Sequence, residues 1–260
     1  MYIFFSKIKI YFYLLKLSLK KQTRTAEQID FEYNSGIWNR NYDEIDFESG
    51  IGNYGRKDGE EYNIYSIDGK FKKILGEEFE KLQNEEFITY FQDFKNDQII
   101  ELGCGLGINI FNLHKSGFKN LSACDISSNA IEKLIRYNNL KNLKINFFVH
   151  DLKNPFLKNE LNNKVVFTFT ALEQCKHIMS IALENILNSK PKIILNFEVN
   201  YDSSPYLVKK YFDVRDYQNN LVSELKLMEK EKKIKIIDIK KLFYSGTTVN
   251  SISVIVWKPA

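Results

Sequence analysis

The sequence predicts an α/β fold in which parallel strands are joined by crossover helices, and three observations support this prediction. The chain has 260 residues, 44% of them hydrophobic, so it is long enough to bury one substantial core. After Asp97, short apolar runs alternate with helical stretches, as in sheets of parallel strands. The first of these runs leads directly into a glycine-rich turn and a helical stretch. We therefore expect one α/β domain, over residues 71–260.

The preceding segment, residues 1–70, is predicted to form an N-terminal helix and an irregular cap. Residues 1–22 are strongly apolar, but lysines interrupt the run, which leaves it too short to cross a bilayer. Such a helix suits packing on its own domain, which we expect, or lying on a membrane surface. The segment also lacks the pattern of a signal peptide. We therefore expect a cytoplasmic protein without a transmembrane segment.

The spacing of apolar residues predicts the elements that follow. Residues 71–94 have helical spacing and are predicted to form one or two helices. Strands are predicted at residues 98–102, 121–125, 145–149, 164–170, 192–197, 233–244 and 251–257. Further helices are predicted at residues 107–116, 128–139, 173–189 and 205–231. The last two strands flank Ser245 and Gly246, so they could pair as neighbours at the edge of the sheet.

Charge and cysteine content exclude several functional classes. The 37 Lys and Arg residues exceed the 33 Asp and Glu residues by four, and they are spread along the chain. This distribution gives no sign of a nucleic-acid partner, and we expect none. The cysteines, Cys104, Cys124 and Cys175, form no CxxC pair, so neither a disulfide framework nor a metal site is indicated.

The turn after the first of these strands is the most informative segment. The sequence IIELGCGLGINIFNL places Gly103, Gly105 and Gly107 between a strand and a helix. Glycines there allow positive φ angles and a close approach of the backbone to a ligand. Taken alone, the pattern also fits an ordinary strand-to-helix turn.

Three acids at the ends of successive strands sharpen this interpretation. Glu101 lies two residues before the first glycine, where it can face the positive end of an amino-acid-like ligand. Asp125 ends the next strand, where a carboxylate can accept hydrogen bonds from ribose hydroxyls. Asp151 follows the third strand, beside the expected position of a purine amino group. The three acids therefore indicate one nucleoside-containing ligand.

In combination, these motifs resemble the cofactor-binding half of class I, Rossmann-like S-adenosylmethionine (SAM)-dependent methyltransferases. The resemblance covers about residues 97–200 and rests on ExGxGxG, CDIS and HDLKNPF. It implies a seven-stranded, mostly parallel sheet with helices on both faces and an N-terminal helical cap. It also implies SAM as cofactor, bound by Glu101, Gly103, Cys104, Gly105, Gly107, Asp125, Ile126, Asp151, Leu152 and Thr170.

Two other interpretations remain open at this point. A nicotinamide-dependent oxidoreductase would carry G-x-G-x-x-G, but the position three after Gly105 is Ile108, and a pyrophosphate has little use for Glu101. A non-catalytic Rossmann-like binding module would carry the same cofactor motifs without an acceptor site.

The acceptor is expected just beyond the fourth strand of the predicted sheet, where the chain reads FTFTALEQCKH. Glu173 and His177 are four residues apart and would share a helix face, so either could remove a proton from a hydroxyl acceptor. Related small-molecule enzymes commonly read LEH here, whereas this chain reads LEQ with the histidine displaced. The alternative is that His177 is a surface residue.

Basic and aromatic residues suggest where an acceptor binds. The stretch after the fifth strand presents Lys210, Tyr211, Arg215 and Tyr217, which would suit an anionic acceptor or simply a solvated basic face. Arg56, in the predicted cap, could clamp a ligand.

These expectations define a methyltransferase of small molecules, with oxygen as the preferred acceptor atom and an oligomeric state that cannot be deduced from the sequence. A narrower resemblance is to methyltransferases of bacterial cell-surface glycan pathways, including those that methylate capsular phosphoramidate groups. It implies a sugar- or phosphate-containing acceptor in surface polysaccharide (capsule) biosynthesis.

Overall fold

The computed structural model describes residues 62–247 and 251–260. The predicted helix at residues 1–22, most of the predicted cap at 1–70 and Arg56 lie outside the described residues, so these predictions are not tested. In the part of the chain that is described, no helix is long and apolar enough to cross a membrane.

The described residues form nine strands, six α-helices and two short 3-10 helices. The strands are β1 (Tyr62–Ile67), β2 (Lys70–Leu75), β3 (Ile99–Leu102), β4 (Leu121–Asp125), β5 (Asn146–Val149), β6 (Val165–Phe169), β7 (Ile193–Val199), β8 (Ile234–Thr247) and β9 (Ser251–Pro259). The α-helices are α1 (Gly76–Thr89), α2 (Ile108–Lys115), α3 (Ser128–Lys141), α4 (Met179–Asn188), α5 (Tyr206–Arg215) and α6 (Leu221–Lys230). The 3-10 helices are Gln92–Phe94 and Leu172–Gln174.

All nine strands belong to one mixed sheet, with the order β2-β1-β8-β9-β7-β6-β3-β4-β5. The five neighbouring strands β7, β6, β3, β4 and β5 pair in parallel. The remaining pairings, β7–β9, β9–β8, β8–β1 and β1–β2, are antiparallel. The seven predicted strands are all present, but the prediction of a seven-stranded, mostly parallel sheet is wrong. The additional strands are β1 and β2, so β8 does not form the edge of the sheet.

The β1–β2 hairpin replaces the irregular segment and the first helical turn that were predicted around residue 70. Asp68 and Gly69 form its turn with positive φ angles of 50° and 69°. Both central residues of a type I′ hairpin turn need positive φ, and Asp-Gly between two short runs is a strong signal for it. Helical spacing from Phe71 onward obscured this signal, and pairing with β1 makes residues 70–75 a strand.

The parallel part of the sheet is buried on both faces. Ile99 and Ile100 of β3 point to opposite faces, and both are fully buried. One face packs against α1, α2 and α3, and its aromatic centre is Phe87, whose ring centroid lies 5.0 Å from that of Phe197. The other face packs against α4 and α6 around Trp257. The predicted helices on both faces are therefore confirmed.

Two predicted helices are each divided. The stretch predicted as one helix at 173–189 is a 3-10 helix followed by α4, and the stretch at 205–231 is α5 followed by α6. The second break lies at Asp216, which adopts a left-handed conformation with φ of 55° and ends α5. A left-handed residue ends a helix because the next residue cannot continue its hydrogen-bond ladder.

Candidate functional site

The glycine turn between β3 and α2 is folded tightly against the end of β4. The backbone N–H groups of Gly103 and Cys104 both donate to the carbonyl of Cys124, at 2.8 and 3.0 Å. Gly103 has φ of 71°, which only glycine adopts at little cost. A Cβ atom at this position would also lie 2.5 Å from the Cβ of Ala171, beyond β6. Glycine is therefore required here by the packing of the protein itself.

Asp125 at the end of β4 fixes the middle of this turn. Its Oδ2 accepts the backbone N–H of Gly105 at 2.8 Å, and its Oδ1 accepts that of Ser127 at 2.8 Å. Burial raises the pKa of this carboxyl above its usual range, although backbone hydrogen bonds from Ser127, Gly105 and Ile126 act in the opposite direction. Each carboxylate oxygen can accept a further hydrogen bond. Asp125 is thus positioned to bind a ligand hydroxyl as well as the turn.

Glu101 is a buried acid with an unused oxygen. It is only 1% exposed, and its Oε1 accepts the side-chain N–H of Asn109 at 2.8 Å. Among the described residues, Oε2 has no hydrogen-bond partner. Burial raises the pKa of Glu101 to about 8, and the nearby Asp125 acts in the same direction. An unpaired buried carboxyl oxygen is costly unless a ligand supplies a donor, and the ammonium group of SAM fits this requirement.

The segment that carries the third acid, Asp151, lies next to the end of β4. The backbone N–H of His150 donates to the carbonyl of Asp125 at 2.9 Å, which brings the segment after β5 next to the end of β4. Asp151 accepts the backbone N–H of Lys153 at 3.0 Å and forms an ion pair with its Nζ at 3.2 Å. Ile126 is 38% exposed, which is unusual for a large apolar side chain directly after a buried strand. Ile126 therefore suits an apolar wall for an adenine ring, whereas Leu152, predicted for the same wall, is only 9% exposed and packs in the core on the α4 side of the sheet.

The segment after β6 begins in contact with the glycine turn. Thr170 has a positive φ of 50° and donates its N–H to the carbonyl of Phe197 at 2.9 Å. Ala171 follows and packs against Gly103. Thr170 thus directly precedes the residue that packs against the glycine turn.

Glu198 is a buried residue at this edge of the sheet that the sequence analysis missed. It lies in β7, is fully buried, and its Oε1 accepts the backbone N–H groups of Ala171 and Leu172, both at 3.0 Å. Burial raises the pKa of Glu198 to about 8, although the hydrogen bond from the Leu172 N–H acts to lower this pKa. The sequence signal that could have identified Glu198 is a single acid within the apolar run IILNFEV, because a charged residue is rarely buried without a specific partner.

A chain of buried polar groups supports Glu198 from within the sheet. The indole N–H of Trp257 donates to the side-chain oxygen of Asn196 at 2.7 Å, and the Asn196 amide donates to Thr168 at 3.0 Å. The Thr168 side chain is in turn hydrogen-bonded to Glu198. All four side chains are fully buried. The start of the segment after β6 is therefore held by a buried polar network, in which Oε2 of Glu198 has no hydrogen-bond partner among the described residues.

The structure does not place Glu173 and His177 on one helix face, so that prediction is wrong. Glu173 lies in the 3-10 helix, whereas His177 lies in the turn before α4. His177 is 57% exposed, and its Nε2 is 2.8 Å from Oδ2 of Asp216. The helix is interrupted because the carbonyl of Glu173 accepts the backbone N–H of Gln218, beyond α5, at 2.8 Å. This tertiary contact replaces the expected helical hydrogen bond.

The predicted acceptor-binding residues lie on and after α5, and three of them are in contact. The Nε and Nη2 atoms of Arg215 donate to the Tyr217 hydroxyl at 3.2 and 2.9 Å, and the guanidinium lies 5.1 Å from the centre of that ring. The ring centroids of Tyr211 and Tyr217 are 6.0 Å apart. The Nζ of Lys210 lies instead 5.7 Å from the centre of the exposed Tyr206 ring. The cluster of Tyr211, Arg215 and Tyr217 combines a cation with two rings, of which Tyr217 is only 7% exposed.

Comparison with known proteins finds similarity to methyltransferases. Residues 99–189 match a protein family described as a methyltransferase domain. The chain is 26% identical over 173 residues to the ubiquinone biosynthesis O-methyltransferase of Rickettsia bellii, an alignment that covers 62% of this chain and 71% of that protein.

Solved structures share the fold. Magnesium protoporphyrin IX methyltransferase from Synechocystis with bound S-adenosylhomocysteine (SAH) superposes with a TM-score of 0.59 and 10% identity, covering 91% of this chain and 100% of the other. The same enzyme with bound SAM gives a TM-score of 0.51 at 11% identity, over 70% of this chain and 80% of the other. The family match, the curated relative and the shared Rossmann-like fold together identify the chain as a SAM-dependent methyltransferase.

Proposed function

We propose that the chain methylates an oxygen atom of a small molecule and binds SAM around the turn between β3 and α2. The observation that carries this proposal is the pair of carboxyls at that turn. Asp125 holds the turn by two backbone hydrogen bonds, and Glu101 keeps one buried oxygen without a partner among the described residues. An ammonium and a ribose are the groups of SAM that such carboxyls recognise.

Each end of the cofactor has residues suited to hold it. Oε2 of Glu101 would accept the ammonium of the methionine part, beside Gly103, Cys104, Gly105 and Gly107. Asp125 would accept the ribose hydroxyls through its remaining lone pairs. Ile126 would line the adenine ring, with Asp151 at its amino group and Thr170 on the side of the acceptor. When bound, SAM supplies a methyl group that its sulfonium has already activated for substitution.

The acceptor is proposed to bind beyond β6 and β7, between the segment after β6 and α5. Ligands in parallel sheets lie beyond the carboxyl ends of the strands, and the segment after β6 begins against the glycine turn at Ala171. Oxygen as the acceptor atom is supported by the curated relative, which is an O-methyltransferase. Tyr211, Arg215 and Tyr217 would favour an acceptor that is aromatic or anionic.

The curated relative and the residues of α5 favour two different classes of acceptor. The curated relative acts in ubiquinone biosynthesis, which favours a phenolic hydroxyl. Two cations on α5, Arg215 and Lys210, favour a sugar- or phosphate-containing acceptor, including the phosphoramidates of surface polysaccharides. We place the phenolic class first because it rests on sequence identity.

His177 or Glu173 is proposed to remove the proton from a hydroxyl acceptor. His177 is the stronger candidate because its exposed imidazole can accept a proton from a ligand, and it lies in the same segment as Ala171. A general base contributes roughly 10²-fold or more to such a step. An acceptor that is already an anion would need no base, and its alignment would supply most of the rate.

A screen for methyl transfer tests the acceptor and the base together. Radiolabelled SAM is offered with catechols, sugar nucleotides and phosphoramidates, and turnover of the wild type, His177→Gln and Glu173→Gln is measured. We expect transfer to a catechol and a rate that falls in the His177 variant. Normal rates in both variants would reject the base and favour an anionic acceptor.

A further inference from the structure

An ion-pair cluster joins the segment after β6 to the corner between α5 and α6. Nε2 of His177 lies 2.8 Å from Oδ2 of Asp216, and Nζ of Lys176 lies 2.9 Å from Oδ1 of the same carboxylate. The Asp216 side chain is 15% exposed, whereas that of His177 is 57% exposed. The carboxylate is therefore largely enclosed, while much of the imidazole faces outward.

The carboxylate is ionised and held in place by the backbone around it. Burial acts to raise the pKa of Asp216, but the hydrogen bonds from His177 and Lys176 outweigh it and hold the pKa below its usual range. Asp216 sits at the left-handed end of α5. Two residues later, Gln218 donates its N–H to the carbonyl of Glu173 at 2.8 Å and its side-chain amide to the carbonyl of Val199 at 3.0 Å.

We infer that Asp216 is a positioning residue for His177: it accepts the Nε2–H of the neutral imidazole, so that Nδ1 is left as the proton acceptor. A carboxylate has no proton to donate, so the nitrogen it contacts must carry the hydrogen. In a neutral imidazole the other nitrogen is then unprotonated, and its lone pair is available to a ligand. This inference rests on the proposed role of His177 as the base.

The same contact also fixes the orientation of the ring. An exposed histidine rotates freely about its side-chain bonds, and each hydrogen bond to a fixed partner removes some of that freedom. Asp216 lies 39 residues along the chain from His177, so the pair exists only when the corner after α5 is docked. The base is therefore oriented by the element that carries the proposed acceptor-binding residues.

Lys176 provides a way to separate this role from a purely structural one. It binds the same carboxylate from the same segment, but an ammonium cannot accept a proton. If Asp216 served only to hold the corner in place, loss of Lys176 would weaken that function as well. Lys176→Gln is thus the matched control variant for Asp216.

Nitrogen-15 NMR of the histidine rings tests the inference without any acceptor. The chain has three histidines, so comparison of the wild type with His177→Gln assigns the resonances of His177. We expect the wild type at pH 8 to show a single tautomer with the proton on Nε2. In Asp216→Gly the nitrogen-15 chemical shifts of Nδ1 and Nε2 should move toward the tautomer-averaged values of a free imidazole. In Lys176→Gln they should stay as in the wild type. Glycine keeps the left-handed backbone at this position, so the variant should fold.

Identical ring shifts in the wild type and Asp216→Gly, or a proton on Nδ1 in the wild type, would overturn the inference. SAH binding by calorimetry should change by less than about twofold in all three variants, because none of these residues contacts the proposed cofactor site. A large loss in Asp216→Gly alone would mean that Asp216 maintains the fold of the domain, and it would also overturn the inference.

Kinetics with 3,4-dihydroxybenzoate as the probe acceptor add a second readout. Turnover should fall at least about tenfold in Asp216→Gly and in His177→Gln, with no further loss in the double variant, because both changes remove the same base. Losses that multiply in the double variant would show that Asp216 acts independently of His177. Normal turnover in His177→Gln would instead reject the proposed base, and the NMR result would still stand on its own.

Discussion

The Cβ of Ala171 occupies the space that a side chain at Gly103 would need, since a Cβ added to Gly103 would lie 2.5 Å away. Gly103 belongs to the turn after β3, and Ala171 is the second residue after β6. The proposed cofactor turn and the proposed acceptor segment are therefore in direct contact. A substitution at either residue should therefore alter the packing of the other.

Gly103→Ala should lower stability and weaken SAH binding, because it combines an unfavourable φ of 71° with the contact to Ala171. Strain in such a conformation costs about 1 to 3 kcal/mol. Gly117→Ala is the matched control, since Gly117 has φ of 92° and nothing within 4 Å of its added Cβ. Thermal unfolding and calorimetry should show a larger loss in Gly103→Ala, partly restored by adding Ala171→Gly. Equal losses in the two glycine variants would show that the contact is unimportant.

Asp125→Ala should weaken SAH binding by more than about 1 kcal/mol, since it removes hydrogen bonds to a charged acceptor. It also releases the N–H groups of Gly105 and Ser127 that organise the turn. Asp97→Ala is a suitable control, because Asp97 pairs with Lys192 at 2.7 Å before β3 begins, away from the turn. Isothermal titration of both variants measures the difference. An unchanged SAH dissociation constant in folded Asp125→Ala would show that the ribose does not bind at Asp125.

SAH binding should release protons near pH 7 and become tighter from pH 6 to 8. Glu101 has a pKa of about 8, so it is mostly protonated in the free protein at pH 7. An ammonium at Oε2 favours the carboxylate and lowers that pKa, which expels the proton. Calorimetry at pH 7 in phosphate and in Tris should therefore give different apparent enthalpies.

Glu101→Gln serves as the control for this linkage, because an amide has no proton to lose. The variant should bind SAH more weakly and with less dependence on the buffer. Equal enthalpies in both buffers for the wild type would contradict the proposed contact between Glu101 and the ammonium.

Stability should fall as the pH rises from about 4.5 to about 8, in part because of Glu198. Its pKa is raised from 4.5 to about 8 in the folded state, so in this interval the folded protein holds a proton that the unfolded chain has lost. The free energy of unfolding then decreases with pH. Glu198→Gln is neutral at every pH and keeps an oxygen for the N–H groups of Ala171 and Leu172. Urea unfolding at pH 5.5 and 8 should show a smaller pH-dependent loss in this variant, by at least about 1 kcal/mol.

Parallel pH dependence in the wild type and Glu198→Gln would exclude a raised pKa at this residue. Glu198→Leu separates charge from hydrogen bonding, because it leaves both N–H groups unsatisfied in the core. It should be markedly less stable than Glu198→Gln at every pH, since an unsatisfied buried donor costs about 1 to 3 kcal/mol.

The features of this protein that depend on neighbouring residues could be predicted from its sequence. Glu101, Gly103 and Asp125 are recognisable because a buried strand, a turn and a helix leave a pattern within a few residues. The alternation of such units also predicted the seven strands from β3 to β9. The hairpin of β1 and β2 had a local signal in Asp68 and Gly69, which helical spacing after Phe71 concealed.

Contacts between distant segments were decided only by the tertiary structure. Glu198 binds the N–H of Ala171, 27 residues away, and Asp216 binds His177, 39 residues away. Such pairs carry no periodicity, because their partners meet only after the strands have been ordered in the sheet. The helix predicted across Glu173 and His177 is interrupted for the same reason, since a hydrogen bond from Gln218 competes with the local one. Sequence pattern thus determined the proposed cofactor-binding turn, whereas the packing of the segment after β6 on the α5–α6 corner determined the geometry of the proposed acceptor site.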